Sequence, residues 1–100
     1  MQTVIVKYQL PRPVPRADML AAFEAAEAQF AQVPGLVRKY FCYDEPAHCG
    51  HSVYLFDSKG AAEAFCGPGL AASLQAKFGA TPEIFGVDTL LVVEGPAAQA

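Results

Sequence analysis

Tryptophan and asparagine are absent from this 100-residue chain, and lysine and arginine together number only seven. Those cations are scattered rather than gathered into a stripe, and the formal charge is −3. Nothing in that pattern would displace counterions from a phosphate backbone, so nucleic acid is not an expected partner. Cysteine is scarce too: Cys42, Cys49 and Cys66 are odd in number and lack C-x-x-C spacing. Free thiols in a reducing compartment fit better than a disulfide framework, and Cys66 reads as a small core hydrophobe. No long apolar run is present. Thr3-Val4-Ile5-Val6 meets Lys7 almost at once, too short for a signal peptide or a membrane span, so a cytoplasmic protein without membrane contact is expected. The rest is rich in apolar residues and suits one domain with a modest core, expected over residues 1–95 with a disordered tail at 96–100.

Thr3 to Leu10 alternates, with Val4, Val6, Tyr8 and Leu10 on one side and Ile5, Lys7 and Gln9 on the other, and predicts a first strand. Pro11, Pro13 and Pro15 remove backbone donors and end it. From about Arg16 the apolar positions Met19/Leu20, Phe23, Ala26, Phe30 and Val33 recur at a helical period; Pro34 and Gly35 stop that helix near Gln32 or Val33. Leu36–Tyr43 and about Gly50–Asp57 predict an antiparallel hairpin joined by Asp44 to Cys49. Asp57 or Ser58 is placed to cap the next helix. That helix begins at Ala61, is interrupted by Gly67-Pro68-Gly69, and resumes through Leu70, Leu74 and Phe78 to Gly79. Glu83–Glu94 predicts a last strand. The order β-α-β-β-α-β specifies an α+β, ferredoxin-like fold: a four-stranded antiparallel sheet with its helices on one face.

A sheet covered on one face should be polar on the other, and these strands are apolar on both. Ile5 opposes Val4 and Val6, Val53 and Leu55 oppose Tyr54 and Phe56, and Phe85 and Val87 oppose Ile84. A monomer would expose a large apolar sheet, which marks an interface. A homodimer packed sheet to sheet, burying roughly 1,600 Å² or more, is the expected assembly.

Val33-Pro34-Gly35-Leu36, the hairpin, and Tyr54-Leu55-Phe56-Asp57-Ser58 running into Ala61-Ala62-Glu63-Ala64-Phe65 resemble the dimeric α+β barrel superfamily, and within it the small YdhR-type monooxygenases. The resemblance implies the dimeric barrel fold. Its members include cofactor-free quinol and polyketide monooxygenases, haem-degrading enzymes, lactone isomerases and proteins of no known activity, so the fold leaves the reaction open. The oxygenases often use Trp, Asn or His in a pocket between helices and sheet. Without Trp or Asn that set cannot be carried over intact, and neither histidine falls in a helix, which argues against a haem ligand.

Among candidate side chains, His51 titrates near neutrality. At the edge of an apolar pocket it could take a proton from a phenol or hydroquinone, and the resulting anion could react with O₂ without a cofactor. A hairpin-end histidine hydrogen-bonded to a neighbour explains the same residue. Tyr8, Tyr40 and Tyr54, expected to share faces with Val6, Leu36 and Phe56, could orient a flat aromatic ligand; they are also ordinary strand residues. Arg38 and Lys39 face opposite ways, so one must point at the helix layer or a partner chain, where it would need a carboxylate such as Asp88 or Glu83, or an anionic ligand; a solvated edge position explains them equally well. Lys7 and Asp88 could pair across the terminal strands. His48-Cys49-Gly50-His51 crowds its ligands too closely for known metal spacings, so no metal is expected. The reading is a cofactor-independent monooxygenase acting on a small aromatic or quinol-like molecule, with His51 as base and Tyr8, Arg38, Tyr40 and Tyr54 holding the substrate; the alternative is a non-catalytic ligand-binding or interaction homodimer.

Overall fold

The computed structural model describes residues 1–99. Four strands, β1 (Gln2–Gln9), β2 (Leu36–Asp44), β3 (Cys49–Phe56) and β4 (Glu83–Asp88), form one antiparallel sheet in the order β2-β3-β1-β4. Three helices, α1 (Arg16–Phe30), α2 (Lys59–Phe65) and α3 (Pro68–Phe78), complete the β-α-β-β-α-β plan, the second helical segment being broken where Gly67-Pro68 interrupts it. Ser58 caps α2, its Oγ accepting from the Ala61 amide at 3.1 Å. None of the helices among the described residues is long and apolar enough to cross a membrane.

The alternation of β1 determines which face is buried. Val4, Val6, Tyr8 and Leu10 are all at most 5 % exposed. Together with Tyr54 and Phe56 of β3 they meet Met19, Phe23 and Phe30 of α1, Ala62 and Phe65 of α2, and Leu70, Leu74 and Phe78 of α3. Burying side chains of this size contributes about 1.5–3 kcal/mol each, so this single layer holds most of the apolar stabilisation. The other face carries Ile5, Tyr40, Phe85 and Val87, all exposed, as its two-faced pattern predicts.

Three boundaries differ from expectation. The α1 helix ends at Phe30, because residues 31–35 form a tight turn in which Gln32 and Val33 donate to Gln29 and Phe30 carbonyls at i−3 spacing. Gly35 then turns the chain at φ +78°; a Cβ there would fall 2.5 Å from the Ala61 Cβ. In β2 the register slips between Leu36 and Arg38, and the extra residue Val37 bulges out. Leu36 therefore faces the helices with Lys39, Phe41 and Tyr43, whereas Arg38 and Tyr40 face away. Tyr40 does not share the face of Leu36 as expected.

At the far edge, β4 stops at Asp88 rather than Glu94. Asp88 pairs with Gln2 at the start of β1, and Thr89 donates its amide to the Met1 carbonyl at 3.0 Å and shares a hydrogen bond between its hydroxyl and that of Thr3. With no further strand to pair, Leu90 to Val93 run on exposed until Glu94 meets Arg38 at 3.7 Å. The same register sets Lys7 opposite Glu83, not Asp88. Pro96–Gln99 form a 3-10 turn; of the tail expected over 96–100, Ala100 lies outside the described residues.

Candidate functional site

Between the sheet and helices α1 and α3 lies a narrow cavity of about 60 Å³ walled by Tyr8, Phe30, Lys39, Ser52, Tyr54 and Lys77, among others. That is room for a few water molecules. A groove of about 260 Å³ runs beside it along the β2 edge, between Glu27 and Phe30 of α1 and Leu36, Lys39 and Phe41 of β2. Lys39, Phe30 and Phe41 belong to both spaces, so the amine stands between the surface and the interior.

Lys39 is placed there by the period of β2: two residues before Phe41 and four before Tyr43, it takes the helix-facing side. Its Nζ lies 3.3 Å from the ring centroid of Phe30, 3.8 Å from Phe41 and 4.6 Å from Tyr54. Among the described residues it has no ion pair and no hydrogen bond, so the expected carboxylate, Asp88 or Glu83, is replaced by ring faces. Burial among these rings, followed by repulsion from the Lys77 ammonium, pushes its pKa down to about 7. The shift is toward the neutral amine.

The two phenols on the same wall respond oppositely to the same environment. Burial, then the nearby Cys49, pushes Tyr8 up to about 12, and burial raises Tyr54 as well; Ser52, facing both, offsets part of the rise. They remain protonated and available as donors. Tyr8 is held by stacking on Phe78, with centroids 5.2 Å apart. It also occupies the space a side chain at its cross-strand partner Gly50 would need: a Cβ there would lie 2.1 Å from Tyr8 Cζ.

The other sequence candidates lie elsewhere. His51 pairs with Lys7 and Cys42 and is turned to the outer face, the odd side of β3, away from Ser52 and Tyr54. Arg38 and Tyr40 share that outer face, the guanidinium donating to the Tyr40 hydroxyl at 3.3 Å, although Arg38, at the sheet edge, also lines the β2-edge groove. The His48 ring sits by the Glu45 carbonyl at 3.0 Å, and no cluster of three metal-ligating side chains forms among the described residues. Ser52 and Gly50 were missed in the sequence, and Lys39 was weighed with Arg38 as a cation facing the helix layer but not named as a site residue; the signal that separates the two is the phase of Lys39 with Phe41 and Tyr43. A wider, open crevice of about 610 Å³ lies at the start of α1. Three of its polar groups are committed: Tyr43 donates to the Val14 carbonyl at 2.7 Å, Glu45 accepts from the Arg16 amide, and Asp44 accepts from the Ala47 amide at 3.2 Å.

No protein-family model and no curated protein matches the chain. Solved structures do. A protein of unknown function from Nitrosomonas europaea superposes with a TM-score of 0.70 at 18 % identity, over 95 % of this chain and 93 % of its own. SnoaB, a cofactor-independent oxygenase from Streptomyces nogalater, superposes at 0.65 with 18 % identity over 94 % and 97 %. The ActVA-Orf6 monooxygenase of Streptomyces coelicolor, in complex with nanaomycin D, gives 0.65 at 13 % over 94 % and 91 %. The likeness is one of fold: the chain shares the α+β, ferredoxin-like fold of these proteins.

Proposed function

We propose, from a fold shared with a cofactor-independent oxygenase, that this protein oxygenates a small phenol or hydroquinone seated in the groove beside Lys39. The observation that supports it is the amine itself, held without a counter-ion against three rings and next to two protonated phenols. A substrate hydroxyl placed at Nζ gives its proton to the neutral amine, leaving a phenolate beside an ammonium in an apolar setting where that charge pair is strong. Oxygen adds to the electron-rich ring carbon. The hydroperoxide so formed loses water, carrying off the phenolic hydrogen and the hydrogen of that carbon, and one oxygen atom stays as a quinone carbonyl. Tyr54 and Tyr8 donate to oxygen as negative charge develops on it.

In this reading Lys39 takes the role first assigned to His51, while Tyr8 and Tyr54 pass from holding the substrate to donating to the oxygen. Tyr40 and His51 belong instead to a homodimer interface formed by the exposed apolar sheet face, Arg38 stands at the rim of the groove, and three free thiols suit a cytoplasmic setting. Oxygen uptake with one- and two-ring quinols, measured above the autoxidation rate, tests it. Lys39→Met should lower the enzymatic rate at least about 100-fold, the usual scale of a lost general base, and His51→Ala should leave it within about twofold. Loss with His51→Ala and retention with Lys39→Met would return the base to His51. The small inner cavity favours one other reading, a non-catalytic ligand-binding dimer, which predicts ligand binding with no uptake above autoxidation.

A further inference from the structure

We infer that Lys39 is a nucleophilic lysine that forms an imine with small apolar or aromatic aldehydes and ketones entering through the β2-edge groove. An unprotonated lysine amine is a nucleophile as well as a base, and apolar desolvation and a neighbouring cation are the two devices that activate one. Both surround Lys39: Phe30, Phe41 and Tyr54 within 4.6 Å of Nζ, and Lys77 across the cavity. The groups that line the two spaces around the amine are Lys77 of α3, Tyr8 of β1, Tyr54 and Ser52 of β3, and, along the groove, Glu27 of α1 and Arg38 of β2. None ties the ammonium down, because Glu27 makes no ion pair with it among the described residues. Lys7 and Lys59, by contrast, are exposed, and Lys59 pairs with Glu63 at 3.9 Å. The groove accommodates a carbonyl group on a one-ring substituent, with ring faces for its apolar part.

The nitrogen lone pair forms a C–N bond to the carbonyl carbon, giving a carbinolamine. Its C–O bond then breaks, and the oxygen leaves as water with the two hydrogens of the amine. The imine that remains, once protonated, withdraws electrons from the adjacent carbon and so serves proton abstraction or decarboxylation there. No oxygen is consumed. The inference rests on the oxygenase reading only in taking Lys39 to be reachable and part neutral.

Incubating the full-length protein with limiting benzaldehyde or propanal and cyanoborohydride under nitrogen, followed by peptide mass mapping, tests it. The expected result is a reduced adduct on Lys39 before Lys7, Lys59 or Lys77. Its labelling rate should reach half-maximum at a pH about two units or more below that of the surface lysines. Lys77→Gln should move that midpoint upward without abolishing labelling, an effect a merely accessible lysine would not show. Adducts spread over surface lysines with Lys39 spared, or a Lys39 midpoint no different from theirs, would overturn the inference. Trapping on Lys39 without quinol oxygenation would refute the oxygenase reading alone, and oxygenation without trapping would refute this one alone.

Discussion

Replacing Lys39 by Met should stabilise the protein at neutral and acid pH, although it removes three cation–π contacts. Below a pH of about 7 Lys39 is charged in both folded and unfolded states, and the folded state bears the full cost of desolvating it. A fall from the ordinary 10.5 to about 7 sets a ceiling near 5 kcal/mol, at about 1.4 kcal/mol per pKa unit. Two effects reduce it. The rings attract the charged form, by about 2 kcal/mol where the cation is desolvated, and water reaches Nζ through the groove and screens part of the remainder. A net penalty of about 2–3 kcal/mol remains. Because the folded pKa is the lower one, the unfolded state binds the extra proton between the two values, and stability rises with pH there. Urea unfolding followed by circular dichroism should therefore show Lys39→Met more stable by about 2–3 kcal/mol at pH 6, with the gap shrinking below about 1 kcal/mol by pH 10. Taking the difference between the two proteins at each pH removes the titration of every other group. A variant less stable than the parent at pH 6, or a gap that does not change with pH, would mean that the rings more than offset desolvation and that the amine stays charged.

Gly50→Ala should cost about 2–4 kcal/mol, because the new Cβ meets the hydroxyl end of the Tyr8 ring, itself held against Phe78; a loss under about 1 kcal/mol in urea unfolding would show the ring free to swing aside. Phe85→Glu, on the exposed outer face, should convert a dimer to a monomer in light scattering while leaving the monomer folded, since Phe85 makes no part of the core. An unchanged dimer mass would move the interface elsewhere.

Much of the fold was legible because two signals agreed along the chain. Strand alternation in β1 assigned Val4, Val6, Tyr8 and Leu10 to the core, and proline and glycine at 11–15, 34–35, 67–69 and 79 marked where elements end. Where sequence reasoning overran, the missing quantity was a partner. Leu90 to Val93 continue the alternation of β4 and have the composition of a strand, but β1 starts at Gln2 and offers them nothing to pair with. The bulge at Val37 was illegible for a similar reason: an extra residue in one strand shows only against the register of the other, so Tyr40 was grouped with Leu36 when it belongs with Arg38.

The candidate site was harder, and Lys39 shows why. One of Arg38 and Lys39 had to face the helix layer, and the rule that a buried cation needs a carboxylate led to Asp88 and Glu83. Asp88 lies at the end of β4, three strands away in the sheet order, so it cannot serve. The chain instead supplies Phe30 from α1 and Phe41 from the same strand, two residues away and therefore on the same side. A carboxylate would have kept the amine charged and unreactive. Ring faces hold the cation less strongly than a carboxylate would, and repulsion from Lys77 adds to the push toward the neutral form. Proton abstraction from a phenol and attack on a carbonyl both require that neutral amine. The aromatic substitution for an acidic partner is thus what connects the packing of β2 to either chemistry. It also gives a sharp distinction from a purely structural lysine: introducing a carboxylate at the groove, as in Ala31→Glu beside Lys39, should raise its pKa, favour the folded state below pH 7, and suppress quinol oxygenation and aldehyde trapping together.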